Sequence, residues 1–153
     1  MLHATINNQK QNYLLNLLKL VEQNQPIQNL LKQNLDLLDT ELIAIFKGIT
    51  ARLFRIEPQK AVNRAKIIAK FSDIIGEFKQ GNIKTNIDIA IAGYEIALTA
   101  IDYRSQPKFW NKIQQSLVKA YIKQLKISEE IQFENYVLTP KIHLKNKKIC
   151  PKR

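Results

Sequence analysis

Apolar residues recur at steps of three and four along most of the chain, which is the period of an amphipathic helix. Six such segments lie between residues 9 and 126. Asp39 or Thr40 is suited to cap the third segment, and Pro58 is placed to open the fourth. Gly81 is a natural stop for the fourth segment, because glycine tolerates the left-handed conformation that ends many helices.

The last two segments have start signals of their own. Thr85 with Asp88 resembles a capping box for the fifth, and Ser105 with Pro107 marks the start of the sixth. Short connections between helices favour antiparallel neighbours. The sequence therefore predicts an all-α fold of about six helices, arranged as antiparallel helical hairpins stacked in an array.

The fifth segment contains a line of small residues. This line recurs at three- and four-residue steps and consists of Ala90, Gly93, Ala97 and Ala100. A stripe of large residues runs beside it, formed by Ile87, Ile91, Tyr94, Leu98 and Ile101. Small residues let a neighbouring helix axis approach closely, while large ones fill the adjacent groove. The pattern predicts an inner helix with neighbours on two sides.

The sixth segment has a predicted buried face that includes two aromatic residues. That face consists of Trp110, Ile113, Leu117, Tyr121 and Leu125. Because Trp110, Tyr121 and Tyr94 all fall on apolar stripes, we interpret them as core residues and not as the walls of a ligand pocket. QFENYVL, at residues 132–138, is the one stretch whose alternation approaches that of a strand.

The spacing of Ala90, Tyr94 and Ala97 resembles the second helix of a tetratricopeptide repeat. The run LVKAY at 117–121 resembles the Leu-Gly-x-x-Tyr of the first helix in the next repeat, with valine at the glycine position. The residues that carry this repeat-like packing pattern are Ala90, Gly93, Tyr94, Ala97, Trp110, Leu117 and Tyr121.

The region from 86 to 121 resembles the entry to the repeat array of cyanobacterial tetratricopeptide-repeat proteins, including those with a C-terminal CHAT (caspase-like) domain. In that family a helix of the type FS-x-x-I-x-x-F precedes the array, and FSDIIGEF at 71–78 fits it. The resemblance implies that residues 9–126 form a scaffolding, tetratricopeptide-like domain that has no catalytic residues and needs no cofactor.

Residues 127–153 differ from the preceding segments, since the helical pattern fails and Pro140 and Pro151 appear. Two interpretations stay open: a flexible basic tail, or the end of a truncated longer gene. His143 and Cys150 lie in this part, and neither has a partner residue at the spacing of a metal site or a catalytic pair.

The net charge of +11 favours an anionic partner. On the sixth segment a basic stripe recurs at steps of seven, four and three, formed by Lys112, Lys119, Lys123 and Lys126. It is either a solvated face, a site for an acidic protein or a nucleic-acid contact. No recognisable module that reads RNA or DNA accompanies it, and aromatic residues are not interleaved with it.

The chemistry-bearing residues are too few and too scattered for an active site. The chain has two histidines and one cysteine, and none of its four glycines belongs to a phosphate-binding loop. It has no apolar run of about 18 residues and no signal-peptide pattern, so we expect a cytoplasmic protein that does not enter a membrane.

The favoured function is a non-enzymatic scaffold that binds a protein or peptide partner. A basic nucleic-acid-binding helical module is the alternative. Because no further repeat follows the sixth helix, we also expect self-association through its exposed side.

Overall fold

The computed structural model describes the backbone of residues 2–138 and the side chains of residues 4–136. In that range it contains six α-helices and two short 3₁₀ turns. The helices are α1 (Leu2–Glu22), α2 (Gln28–Gln33), α3 (Thr40–Ile56), α4 (Ala61–Glu77), α5 (Ile83–Ala100) and α6 (Pro107–Leu138). The predicted all-α class and number of helices are confirmed for this part of the chain. None of its helices is both long and apolar enough to cross a membrane.

The start of α3 is also the point where α1 is attached. Asp39 caps α3, as predicted, by accepting a hydrogen bond of 2.9 Å from the Leu42 amide. The buried Lys10 ammonium of α1 lies 2.6 Å from Asp39 and 2.8 Å from Glu41. Burial alone lowers the pKa of Lys10, but the two carboxylates outweigh it and hold that pKa above its ordinary value. Lys10 therefore stays charged and ties the two helices together.

Two predicted helices begin or end differently in the structure. The segment after Pro26 forms only the short α2, because the Asn34 side chain donates to the Leu30 carbonyl at 3.0 Å and satisfies its last turn. The following residues form a 3₁₀ turn, Leu35–Leu37. Pro58 opens a second 3₁₀ turn, Pro58–Lys60, and α4 itself begins at Ala61.

The turn between α4 and α5 corrects two further predictions. α4 ends at Glu77, and Gly81 lies beyond it in the loop, where a φ of +75° requires the freedom of glycine. The cap of α5 is Asn82, whose side chain accepts from the Thr85 amide at 3.1 Å. Thr85 supplies a backbone donor there, and the capping box predicted from its side chain is wrong.

A buried amide holds this turn in place. Asn86 is fully buried at the start of α5. Its side-chain nitrogen donates to the carbonyls of Phe78 at 3.2 Å and Gln80 at 2.9 Å. These bonds satisfy the loop carbonyls of Phe78 and Gln80, so one side chain holds the turn between α4 and α5.

α6 continues past Lys126, where the sequence analysis placed the start of the tail, and reaches Leu138. Residues 132–138, the stretch with strand-like alternation, are therefore helical. The reason is that no proline or glycine interrupts the chain between Pro107 and Leu138. Residues 139–153, with His143 and Cys150, lie outside the described residues.

α5 is the central helix. It packs against α3, α4 and α6, while α1 packs across α3 and α4. Ten of its 18 residues are buried, which requires cover on three sides instead of the two that the sequence predicted. Gly76 of α4 faces Ala90, and Ser72, one turn earlier, faces Gly93, so α4 and α5 run antiparallel.

α4 and α5 approach each other closely along the small residues of α5. A Cβ atom added to Gly93 would lie 1.9 Å from the Ser72 hydroxyl oxygen and 3.3 Å from a ring carbon of Phe46. Beside this point the rings of Phe46 and Phe71 meet edge to face, with centroids 5.6 Å apart. The core is therefore tightly packed where α3, α4 and α5 meet.

Candidate functional site

A groove runs between α4 and α6, and α5 forms its floor. Both helices pack on α5 but make little contact with each other. The groove consists of two cavities of about 550 Å³ and about 380 Å³ that share Asp73, Tyr94 and Ser116. An elongated, open depression of this kind has the shape of a site for a chain segment.

The floor of the groove combines small and aromatic residues. Ile87, Ala90 and Tyr94 of α5 line it, so the stripes identified in the sequence supply its base. The Tyr94 hydroxyl donates to an Asp73 carboxylate oxygen at 2.5 Å. Burial, and then the Asp73 bond, raises the pKa of Tyr94 well above its ordinary value. Tyr94 therefore stays neutral and holds one carboxylate in the middle of the groove.

Lysines line both walls of the groove. The α6 wall contributes Lys112, Lys119, Lys123 and Lys126, and the α4 wall contributes Lys66 and Lys70. Two carboxylates of α4, Asp73 and Glu77, lie among them. The groove therefore has an excess of positive charge over an apolar floor.

One of the α6 lysines is paired across the groove. Lys123 forms an ion pair with Glu77, and this contact lowers the pKa of the Glu77 carboxyl. Within the described part of the chain, no carboxylate lies at ion-pair distance from Lys112, Lys119 or Lys126. These three ammonium groups are available to an anionic ligand.

On α4, the ammonium group of Lys66 lies 5.7 Å from the centre of the Phe109 ring, a cation–π distance. Lys70 donates to the Asn24 side chain, which lies just after α1. The two lysines of the α4 wall are thus held by neighbouring side chains, unlike the three free lysines of α6.

The predicted packing residues of α5 all lie in the core. Ala90, Gly93, Tyr94 and Ala97 are buried. On α6, Leu117 is buried as well. The structure thus brings these five residues together around the α4–α5–α6 contact.

The two aromatic residues predicted for the buried face of α6 lie nearer the surface. Trp110 is half-buried and meets the exposed Tyr103 ring edge to face, with centroids 5.1 Å apart. Tyr121 is 39% exposed, and its hydroxyl donates to Glu95 of α5. The core prediction for Tyr121 is therefore wrong.

The buried face of α6 is rotated relative to the prediction. It consists of Ile113, Leu117 and Ala120, which recur at steps of four and three. Leu125, also predicted to be buried, is 63% exposed. The rotation arises because Ala120, a small residue that lets α6 approach α5, takes the place that the sequence analysis gave to Tyr121.

The acidic residues of the groove were missed in the sequence analysis, although a signal for them exists. Lys66, Lys70, Asp73 and Glu77 recur at steps of four, three and four, which places them on one face of α4. Only the contact between α4 and α5 decides that this face borders the lysines of α6.

Outside the groove, a further cavity of about 550 Å³ lies between α1, α3 and α4. Leu15, Phe54 and Ile67 contribute apolar surface to it. Its arginine is already engaged, since Arg64 donates to the Leu53 carbonyl at 3.0 Å and to Glu57 at 2.8 Å. This guanidinium closes the end of α3, so the cavity has less free charge than the groove.

Among the described residues, no group of three or more histidine, cysteine, aspartate or glutamate side chains is placed to hold a metal ion. Comparisons with models of protein families, with curated proteins and with solved structures find no match to this chain. Function therefore has to be inferred from the geometry of the groove and of the surfaces beside it.

Proposed function

We propose that this protein is a non-enzymatic interaction module whose α4–α6 groove holds an acidic segment of a partner protein. The observation that carries the proposal is the groove itself: an apolar floor on α5 between two walls of lysines, three of which are unpaired within the described structure. Apolar side chains of a partner would pack on the floor, and its carboxylates would meet the walls.

The packing order of the helices supports a tetratricopeptide-like stack of hairpins. In such a stack each helix contacts its hairpin partner and the equivalent helix of the next hairpin. The pairs α1–α3 and α4–α5 follow the first rule, and α1–α4 and α3–α5 follow the second. α6 would be the first helix of a further hairpin, but it departs from the second rule, because it packs on α5 and makes little contact with α4. We further propose that the chain is related to the cyanobacterial repeat proteins that its sequence resembles, and that it is located in the cytoplasm.

The two carboxylates in the groove favour a protein segment over nucleic acid. Asp73 and Glu77 lie between the lysine walls, and Asp73 is fixed by Tyr94. The phosphates of a continuous nucleic-acid backbone would lie next to both carboxylates and be repelled by them. A peptide can instead place a neutral or basic residue there, so its charge pattern can match that of the groove.

Nucleic-acid binding is the second candidate, and one observation favours it. The free lysines Lys112, Lys119 and Lys126 follow one side of α6 and form the groove wall that faces the two carboxylates of α4. A phosphate backbone could bind along this wall. Such binding would weaken steeply with salt, because each neutralised phosphate releases a counterion.

The experiment compares capture of proteins from a nuclease-treated lysate by three forms of the full chain. The groove variant carries Lys66→Glu and Lys112→Glu, one reversal on each wall. The matched control carries Arg52→Glu and Arg55→Glu, two reversals on the exposed side of α3. We expect the natural chain and the control to retain the same protein and the groove variant to lose it. Equal retention by the groove variant contradicts the proposal.

Two labelled probes separate the candidates directly. One is a peptide of alternating glutamate and leucine, and the other is a single-stranded DNA of the same charge. We expect the peptide to bind the natural chain more tightly than the DNA at physiological salt, with loss of binding in the groove variant. Tighter binding of the DNA, with a steep salt dependence, would instead favour the nucleic-acid module.

A further inference from the structure

The side of α6 that faces away from α4 and α5 is apolar and uncovered. Val118, Ile122 and Leu125 are exposed there, at steps of four and three, which places them on one stripe of the helix. We call this stripe the outer face of α6. It borders the groove, because Ile122 also lines one of the groove cavities, while the groove lysines lie to one side of the stripe.

The last turns of α6 also lack cover. From Glu129 to Asn135 every side chain is exposed, and Phe133 is 67% exposed. A helical segment with little tertiary packing is only marginally stable in water. This end of α6 therefore presents Phe133, about three turns after Ile122, on the side of the outer face.

The charges of α6 are completely segregated along its length. From 107 to 126 it contains lysines and no carboxylate: Lys108, Lys112, Lys119, Lys123 and Lys126. From 127 to 138 it contains Glu129, Glu130 and Glu134 and neither lysine nor arginine. The first turn has no acidic residue and the last turn has no basic one. This order opposes the helix dipole, so the dipole does not account for it.

We propose that the outer face of α6 is the interface of a homodimer in which two copies of α6 pack antiparallel. In this arrangement the acidic end of each helix lies beside the basic half of the other, whereas a parallel pair would place like charges together. The interface is also self-complementary, as a two-fold axis requires. The charge order of α6 thus matches a second copy of the same helix.

The register follows from the positions of the apolar residues. Leu125 lies at the axis and meets Leu125 of the second copy. Val118 then meets the turn that carries Phe133 of the second copy. Lys119 comes beside Glu130 of the second copy, and the symmetry produces this ion pair twice. The uncovered end of each α6 is covered by the middle of the other.

The test is analytical ultracentrifugation of the full chain and its variants over micromolar concentrations. We expect the natural chain to dimerise. Leu125→Glu places two carboxylates opposite each other at the axis and should raise the dimer Kd by about 100-fold or more. A natural chain that stays monomeric, or a Leu125→Glu variant that dimerises as well as the natural chain, overturns the proposal.

Charge exchange tests the antiparallel register. Lys119→Glu and Glu130→Lys should each raise the dimer Kd by about tenfold, because each replaces two attractive pairs by two repulsive ones. Combining them should restore the natural Kd to within about threefold, since the pairs are reformed with reversed sign. A combined variant as weak as either single variant overturns the register.

Arg52→Glu, on the exposed side of α3, controls for the change in net charge and should leave the Kd unchanged. Because Leu125, Lys119 and Glu130 are all exposed, their variants are expected to fold, which circular dichroism verifies. The groove variant Lys66→Glu with Lys112→Glu separates the two proposals, since it should lose the acidic peptide and keep the dimer.

Discussion

Two of the three helices that pack against α5, α4 and α6, do so in different ways. α5 packs against α4 through glycine and alanine, so closely that Gly93 has no room for a side chain beside Ser72. Against α6 it packs through Ile113, Leu117 and Ala120. The position of α4 is thus set by the backbone, whereas that of α6 depends on side chains.

Polar contacts add to the difference between the α4 and α6 sides of α5. Along one edge of the α5–α6 contact, Gln124 donates to Asp88 at 2.7 Å and the Tyr121 hydroxyl donates to Glu95. Such part-exposed bonds contribute less than buried packing, because water competes for the same groups. We therefore expect the α4 wall of the groove to be the more rigid one and the α6 wall to move when a partner binds.

The largest effect is expected from filling the α4–α5 contact. Gly93→Val should lower the free energy of unfolding by about 3 kcal/mol, because rotating the Ser72 hydroxyl away still leaves the Ser72 Cβ and Phe46 ring 3.3 Å from the new Cβ. Urea denaturation measures this. Gly48→Val, on α3 with no atom within 4 Å of the added Cβ, is the control and should stay within about 0.5 kcal/mol of the natural chain. Equal losses of unfolding free energy in the two variants would contradict the close packing of α4 against α5 at Gly93.

Truncating the α6 side should have a smaller and more local effect. Leu117→Ala should destabilise the protein by about 2 kcal/mol through the lost burial and the cavity left behind. Hydrogen exchange should show faster opening of α6 while α4 and α5 keep their protection. Gln115→Ala, an exposed neighbour, should change neither. Uniform loss of protection across all three helices would show that α6 is not the looser neighbour.

Removing the hydroxyl at the floor of the groove should cost less again. Tyr94→Phe should destabilise by about 1 kcal/mol at pH 7, and Tyr103→Phe, at an exposed position, should have no effect. Since folding raises the pKa of Tyr94, its stabilisation is complete below the unfolded pKa of about 10 and falls as pH rises above it. The natural chain should therefore lose more stability than Tyr94→Phe above about pH 10. Parallel pH curves would refute this role.

The smallest effect is expected at the ion pair across the groove. Glu77→Gln should destabilise by about 0.3 kcal/mol at pH 7, because the Lys123 contact is exposed to solvent and screened. The folded-state pKa of Glu77 is lowered, so its contribution is present above the ordinary carboxyl pKa and disappears as pH falls through the folded value. A difference between the two proteins that persists at about pH 2 would rule out this origin.

Local signals in the sequence predicted much of the fold. Asp39 caps α3 and Pro107 opens α6 as expected, because both act through their immediate neighbours in the chain. The small residues of α5 also predicted a closely packed helix. Where a polar residue competed with a nearby one for the same cap, as Thr85 did with Asn82, the sequence alone did not decide between them.

The orientation of α6 on α5 was harder to predict from the sequence, for a physical reason. Ile113 and Leu117 lie on one side of this helix and Ile122 and Leu125 on another, so periodicity finds two apolar faces and cannot say which one meets α5. The weakening of the helical pattern after Lys126, together with Pro140 and Pro151, suggested an end to the domain, yet the helix continues to Leu138. The groove itself depends on how α4 and α6 are placed on α5, which no local pattern encodes.

The buried amide of Asn86 has a consequence for the order of folding. It closes the α4–α5 turn with bonds to Phe78 and Gln80, residues only eight and six positions away along the chain. The dense contact between α4 and α5 is likewise made by residues near in sequence, so little loop-closure entropy opposes it. We expect this hairpin to form the folding nucleus, with high φ-values at Ala90 and low ones at Leu117, and α1 and α6 to dock onto it afterwards.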